Sequence, residues 1–319
     1  MAKLSRPRKG SLQFWPRNRA AKFLHRVNWS TIKTNSSGLL GFIGYKVRMV
    51  STIVKDNTDK SMSKGKRIVL PSTVLEVPPM KLFSIRFYKN KLVLSESLVS
   101  SDKNLKPVLK TPKTPSTADS IKVPQNFDDV RAIVYSVPSS IHLKHTPDLI
   151  ELAVNAPSKE EKLNYLKSLI GKELKLSDVL KDAKLLDARG LTRGHGLVGP
   201  VRRFGITLKN HKSEKGVRRP GSLGPWHPAY VMFRTPMAGQ LGLFSRTQKN
   251  LVILARKNVS ELDITPKGGF LHYGTIAGDY LIVAGSVQGP SKRQILLTPP
   301  ARPTKHTLKK SYELVEVVP

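Results

Sequence analysis

The chain has 319 residues with 55 Lys and Arg against 22 Asp and Glu, a formal net charge of +33 and a pI near 10.4. Self-repulsion on that scale favours an extended polyanion as partner, while the lack of cysteine excludes disulfides, thiolate metal sites and cysteine nucleophiles together. A hydrophobic share of 39% is enough for a packed core; no apolar run nears the roughly eighteen residues of a membrane span and no secretory signal is read, so the expected compartment is the cytoplasm, with no membrane partner.

Residues 1–33 read as a basic N-terminal arm. Lys3, Arg6, Arg8, Lys9, Arg17, Arg19, Lys22, Arg26 and Lys33 all precede the first carboxylate, Asp56, and Phe14, Trp15, Phe23 and Trp29 are interleaved with them. A solvated tail has no use for large rings, and Pro7 and Pro16 oppose a helix, so the arm is expected to thread along RNA.

Residues 34–98 are expected to form the first part of a β-barrel. Gly38–Val54 is rich in β-branched and aromatic residues, with Gly41 and Gly44 placed for bends. Strands follow at Arg67–Val77, Leu82–Tyr88 and Lys91–Glu96, the last two joined by a hairpin across Lys89–Asn90.

An α/β insertion is expected over 99–181. Its first part, to about residue 127, is Ser-, Thr-, Pro- and Lys-rich and reads as a loop. A strand is read at Val130–Pro138. Ser158 and Glu161 fit a capping box for a helix whose Leu163, Leu166 and Ile170 share one face and which stops at Gly171. A shorter helix is expected from Ser177–Asp178 to about Lys181. Half of the acids lie between residues 119 and 187, which points to a solvent-facing region.

Residues 182–204 are read as a barrel strand and the start of a finger, and 205–248 as the finger itself. From Arg189 to Gln248 the only carboxylate is Glu214, against eleven Lys and Arg. Glycine and proline recur, so neither a helix nor a long strand fits. Phe204, Trp226, His227, Tyr230 and Phe233 stand singly among the charges, as stacking faces for bases would. Trp226, between Gly224-Pro225 and His227-Pro228, is either a small hydrophobic anchor or a ring presented outward; its polar, basic surroundings favour the outward reading. Residues 249–319 close the barrel with strands at Leu251–Lys257, Tyr280–Ala284, Gln294–Leu297 and Tyr312–Val318, followed by the C-terminal tail.

The catalytic motifs are weak. Gly194-x-Gly196-x-x-Gly199 has the letters of a dinucleotide loop, but no helix is expected after Pro200 and no acid stands about twenty residues on. Gly285–Lys292 lacks the Gly-Lys-Ser/Thr end of a phosphate loop and reads as a turn whose Lys292 and Arg293 reach a phosphate. The eight histidines show no zinc-hydrolase spacing. No enzyme, metal, cofactor or small-molecule substrate is therefore expected.

GLLGFIGYKVRM, LDARGLTRGHGLVGPVRRFGI, KNHKSEKGVRRPGSLGPWHPAYV and YLIVAGSVQGPSKR, in that order, resemble the universal ribosomal protein three family of the large subunit. The arm LSRPRKGSLQFWPRNRA is similar to that of archaeal and eukaryotic members, and the resemblance spans essentially the whole chain. Arg48 departs from it, standing where members commonly have glycine.

The resemblance implies a mainly β fold with an α/β insertion: a six-stranded elongation-factor-like barrel with a basic arm and finger. It implies a structural role in the large ribosomal subunit, with large-subunit rRNA and neighbouring ribosomal proteins as partners. It further implies rRNA binding early in assembly and a finger near the peptidyl-transferase centre with Trp226 at its tip. The RNA-contacting residues expected are Arg6, Arg8, Lys9, Trp15, Arg17, Arg19, Lys22, Arg193, His195, Arg202, Arg203, Lys209, His211, Lys212, Lys215, Arg218, Arg219, Trp226, His227, Arg234, Arg246, Lys292 and Arg293. The alternative is a free RNA chaperone or assembly factor; compaction of duplex DNA would need charge but few stacking rings.

Overall fold

A computed structural model describes residues 10–34, 36–117, 120–180 and 183–318. The strands are β1 (Gly38–Leu39), β2 (Phe42–Asp56), β3 (Arg67–Glu76), β4 (Met80–Lys89), β5 (Leu92–Leu98), β6 (Asp129–Ser136) and β7 (Leu149–Asn155). Helices α1 (Lys159–Ser168) and α2 (Leu176–Val179) precede β8 (Leu185–Leu191), β9 (Gly196–Val198), α3 (Pro200–Phe204), β10 (Gly239–Leu241) and β11 (Ser245–Asn258). The chain ends with β12 (Asp279–Ala284), β13 (Gln294–Thr298), α4 (Lys305–Leu308) and β14 (Tyr312–Val318). The fold is mainly β, as the alternating strands predict, with few and short helices.

The residues divide into two compact units: Leu24–Gly190 with Thr247–Pro319, and the described residues up to Phe23 with Leu191–Arg246. The larger unit holds a seven-stranded sheet in the order β13-β8-β11-β12-β3-β2-β14, in which β13 pairs with β2 as well as with β8. β2 is long enough to meet three partners: β3 along nearly its whole length, β13 near its start and β14 near its end. A register shift between Lys46 and Arg48 breaks the β2–β3 ladder, so Arg48 follows a bulge and its side chain is exposed.

A five-stranded sheet has the order β1-β7-β6-β4-β5. This differs from the expected course, which carried the strands up to residue 98 alongside the first ones. β4 and β5 instead pair with each other and with β6. The reason is tertiary: Leu82, Ile85 and Phe87 of β4 have their apolar partners in Val130, Ala132 and Val134 of β6 and Leu152 of β7, all in one buried cluster. The hairpin turn falls on Asn90–Lys91 rather than Lys89–Asn90. Both residues have positive φ and Lys89 faces Leu92, the two-residue turn whose twist matches that of the strands it joins. β7 was not expected, because LIELAVN mixes one acid into a short apolar run and sits behind a proline-containing loop.

The arm also ends earlier than residue 33. Leu24, Val27, Trp29 and Ile32 pack into the main apolar cluster, and Trp29 is 7% exposed. A tryptophan buries more apolar area than almost any side chain, so a nearby core claims it before solvent or ligand does. Within 99–127, Leu105 is fully buried in a single 3-10 turn (Lys103–Leu105), so part of that loop is tied down.

α1 starts as read. The Ser158 hydroxyl accepts from the Glu161 amide at 3.1 Å, and Leu163 and Leu166 are buried. The short helix that follows is Leu176–Val179, ended by the non-helical Leu180; the expected end at Lys181 lies outside the described residues. The acids of this region are not simply solvated. Glu151 receives Arg86 at 3.1 Å and Arg131 at 2.9 Å, Glu96 holds Arg86 at 2.7 Å, and Asp129 binds Arg131 and Lys162. The result is an ion ladder running across four strands of the five-stranded sheet.

Among the described residues three carboxylates are buried, Asp56, Asp187 and Glu76, the last with no exposure at all. Glu76, at the end of β3, accepts the amides of Ala277 at 2.8 Å and Gly278 at 3.0 Å and the hydroxyl of Tyr273. Burial raises its pKa, outweighing the three hydrogen bonds that lower it. The folded protein therefore holds a proton at Glu76 over a pH range in which the unfolded chain has already lost it. Stability contributed by this group is fully present below the unfolded value near 4.5 and is lost as pH rises through the folded value. Glu76→Gln keeps the shape without the titration. The wild type is expected to lose stability relative to Glu76→Gln as pH climbs from about 4.5 to 7, as read by denaturant midpoints across that range. A constant difference would show that Glu76 does not titrate differently on folding.

Candidate nucleic-acid interface

The smaller unit carries the chemistry. Residues 1–23 and 191–246, about a quarter of the chain, contain seventeen Lys and Arg and a single carboxylate, Glu214. A cation there has essentially no acid of its own unit to pair with. Two other acceptors take part: backbone carbonyls and aromatic faces.

The finger is closed at its base by β9 and β10, whose register sets Gly196 opposite Leu241 and Val198 opposite Gly239. The amide of His195 donates to the Leu241 carbonyl at 2.9 Å and that of Thr192 to Phe244 at 3.0 Å, extending the closure. Gly242 makes the approach possible. With φ at +80°, a Cβ there would lie 2.0 Å from the Arg193 carbonyl oxygen, so the two strands meet only because the position has no side chain. This three-residue hairpin had no legible signal, since segments so short show no periodicity.

After β9 the expectation of no helix fails: α3 occupies Pro200–Phe204. Proline at the first helical position loses nothing by lacking an amide, and Gly205, left-handed at φ +66°, ends the turn. Five residues with no acid after them still make no dinucleotide site.

α3 delivers Arg203 and Phe204 to the base of the finger. Arg203 donates from Nε to the Gln240 carbonyl at 3.0 Å and from Nη1 to that of Met237 at 3.1 Å, with longer contacts to Ala238 and Arg17 at 3.5 Å. A Cβ on Gly239 would sit 2.7 Å from this guanidinium, so that glycine keeps its place open. Burial lowers the Arg203 pKa. Arg17 returns the contact, donating to the Arg203 carbonyl at 2.5 Å with its guanidinium 4.1 Å above the Phe204 ring.

Phe204 is only 5% exposed and stacks on Trp15 at 5.7 Å, and Phe233 meets Trp15 edge-on at 5.8 Å. Trp15, Arg17, Arg203 and Phe204 thus brace the finger from within. Phe204, expected among the outward rings, is buried instead; Trp15, Arg17 and Arg203, expected at the RNA, are half-buried. A basic segment cannot fold on charge, and these rings are what it has for a core.

The remaining predicted residues spread over the surface. Arg19, Lys22, Arg193, His195, Arg202, Lys209, His211, Lys212, Lys215, Arg218, Arg219, His227 and Arg234 are exposed, and Arg202 donates to Nδ1 of His195 at 3.1 Å. Between α3 and β10 there is no helix or strand, and every residue from 221 to 234 is exposed. Trp226 is 87% exposed, so the outward reading of this ring holds and the anchor reading does not. Arg246 is half-buried, its guanidinium 3.7 Å above the Phe14 ring. Lys292 (exposed) and Arg293 (half-buried) lie in the larger unit, at a turn where the Lys292 amide bonds to the Lys46 carbonyl at 2.7 Å. Arg6, Arg8 and Lys9 lie outside the described residues. Among the described residues no three His, Asp or Glu side chains gather as metal ligands, and no helix is long and apolar enough to cross a membrane.

These features define a class: a mainly β protein whose strongly cationic arm and finger are braced by their own rings and carbonyls and present charge and aromatic faces outward. The comparisons name the family. The sequence matches ribosomal protein L3 over residues 1–104 and 111–317. It is 38% identical over 318 residues to the large ribosomal subunit protein uL3 of Methanocaldococcus jannaschii, covering 96% of this chain and 94% of that protein. The same protein from Methanococcoides burtonii is 38% identical over 318 residues, covering 95% and 94%, and that of Pyrobaculum calidifontis is 38% identical over 319 residues with the same coverage. The chain belongs to the ribosomal protein L3 family, with archaeal-type relatives, and is a structural ribosomal protein rather than an enzyme.

The brace makes a specific demand. Arg203→Ala removes four donor contacts and leaves several carbonyls of residues 237–240 without them, a change of about 1–3 kcal/mol for a charged donor. Amide hydrogen exchange at Gly196–Val198 and Gly239–Leu241 is expected to quicken in this variant. Arg203→Lys should fall short of full protection, because an ammonium cannot reach the same fork of carbonyls. Unchanged exchange in both variants would remove Arg203 from the brace.

Proposed function

We propose that this protein is a structural constituent of the large ribosomal subunit in the cytoplasm. In this reading its arm and finger lie along large-subunit rRNA, support early subunit assembly and organise RNA near the peptidyl-transferase centre. The observation that carries the proposal is the pairing of seventeen cations and one acid in the smaller unit with a finger exposed throughout residues 221–234. Neighbouring ribosomal proteins are the further partners. The exposed cations neutralise phosphates, Trp226 stacks on a base, and Lys292 and Arg293 add contacts from the larger unit. We take the strands β13, β8, β11, β12, β3 and β2 as an elongation-factor-like barrel with β14 as an added strand, a reading supported by the second pairing of β13 with β2.

Co-sedimentation of tagged protein with large subunits in lysate tests the role; recovery only as free protein or with unassembled RNA would favour the chaperone alternative. Binding to large-subunit rRNA should depend steeply on salt. With about ten cations engaged, the slope of log K against log salt is expected on the order of −7 to −9. A slope shallower than about −3 would mean that most of this charge lies away from the RNA.

Tip and stem should separate by mutation. Stacking is worth about 1–3 kcal/mol per base, a fraction of what the arm and finger gain through counterion release. Trp226→Ala is expected to assemble into subunits at near-normal yield while changing chemical probing of the rRNA at the tip. Arg218→Ala with Arg219→Ala should lower incorporation with little local change. Blocked incorporation of Trp226→Ala, with an unchanged probing pattern in the few subunits formed, would assign Trp226 a folding role instead.

A further inference from the structure

Within the smaller unit, the arm segment 13–18 lies against residues 244–246, held there by the Ala20 amide bonding to the Leu243 carbonyl at 2.9 Å. Between them is an open cleft of about 220 Å³, lined among others by Gln13, Phe14, Arg17, Asn18, Ser245 and Arg246. Three properties of this cleft define its occupant.

First, its charge is wholly positive. Arg17 and Arg246 both line it, no carboxylate does, and the only acid in the unit's sequence is Glu214. The occupant must bring the negative charge. Second, the Arg246 guanidinium lies 3.7 Å from the centre of the Phe14 ring and 5.4 Å from that of Phe244. A guanidinium set in this way on an aromatic face is a flat, rigid platform against which a second flat group can stack. Third, Gln13, Asn18 and Ser245 contribute amide and hydroxyl groups that both donate and accept, the complement of a base edge rather than of a bare anion. At about 220 Å³ the space is smaller than the ~300–1,000 Å³ clefts that enclose drug-sized ligands. It suits one nucleotide rather than a helix.

We propose that this cleft captures a single unstacked nucleotide of the large-subunit rRNA, its phosphate on Arg246 and Arg17 and its base edge read by Gln13, Asn18 and Ser245. The proposal rests on the rRNA-binding reading above and deepens it. The arm–finger junction then recognises one particular nucleotide, in addition to the phosphates met by the exposed charges. Burial lowers the Arg246 pKa, in keeping with a cation held away from bulk water.

The test uses full-length protein and deproteinised large-subunit rRNA, probed with a reagent that acylates 2′-hydroxyls of unstacked nucleotides. Wild type is expected to protect one nucleotide, or two adjacent ones, that Asn18→Ala and Ser245→Trp both leave reactive at saturating protein. Ser245→Trp fills the cleft and Asn18→Ala removes a reader without adding bulk, so agreement between them does not depend on either alone. Asn18→Ala should bind about two- to tenfold more weakly, the range for losing one hydrogen bond, and Ser245→Trp, which excludes the base, about five- to a hundredfold. Thermal melts of the free variants matching wild type show that the fold is intact; if Ser245→Trp melts early, Asn18→Ala decides. Identical reactivity patterns for wild type and variants, with steeply salt-dependent binding intact, overturn the nucleotide site alone. Absence of salt-dependent rRNA binding by wild type overturns both this site and the functional reading beneath it.

Discussion

Everything in the smaller unit follows from one electrostatic constraint: seventeen cations share a unit whose sequence has one acid. Ion pairing within the unit cannot compensate them, and a chain of this composition without an apolar core repels itself apart. The structure answers with contacts that need no acid. Arg203 binds carbonyls of residues 237–240, Arg17 sits over Phe204, and Arg246 sits over Phe14. Each of these contacts holds a guanidinium in place. The brace and the exposed cationic surface are thus two uses of one residue type, separated by whether a carbonyl or a ring lies within reach.

The larger unit handles charge differently. There Arg86 of β4 and Arg131 of β6 stand opposite each other, flanked by Glu96 of β5 and Glu151 of β7, so that each arginine has a carboxylate on a neighbouring strand. Such partly exposed pairs contribute modestly to stability, about 0–1 kcal/mol each. Their larger effect is on the field. They cancel charge locally on that sheet, whereas the smaller unit, about a quarter of the chain, carries seventeen cations against one acid. Two buried carboxylates are held without a cation among these contacts: Glu76 by two amides and a tyrosine, and Asp56 by an amide and two serine hydroxyls.

The same contrast explains how a ribosomal protein of the L3 family can be both a folded body and an extended one. The larger unit buries continuous apolar clusters from its sheets and short helices. The finger between α3 and β10 has no regular element, and its large rings at Trp226, Tyr230 and Phe233 are mostly exposed. Large exposed rings of this kind are unusual on a protein surface and mark an interaction site.

The sequence by itself determined the mainly β class, the start of α1 at Ser158, most strands of six residues or more, the cationic character of arm and finger, and the exposure of Trp226. These are local properties: alternation, capping chemistry and charge density act over a few neighbouring residues and can be read there. Only the tertiary structure decided which strands share a sheet, so that β4 and β5 joined β6 and β7, and that the arm hands Trp29 to the core. It also decided that Phe204 is buried, with Trp15, Arg17 and Arg203 packed around it or bonded to nearby carbonyls. An arginine in a basic run looks the same whether its donors meet phosphates or carbonyls; Arg203 and Gln240, thirty-seven residues apart in the chain, are brought together by the pairing of β9 with β10, and that closure has no local signature.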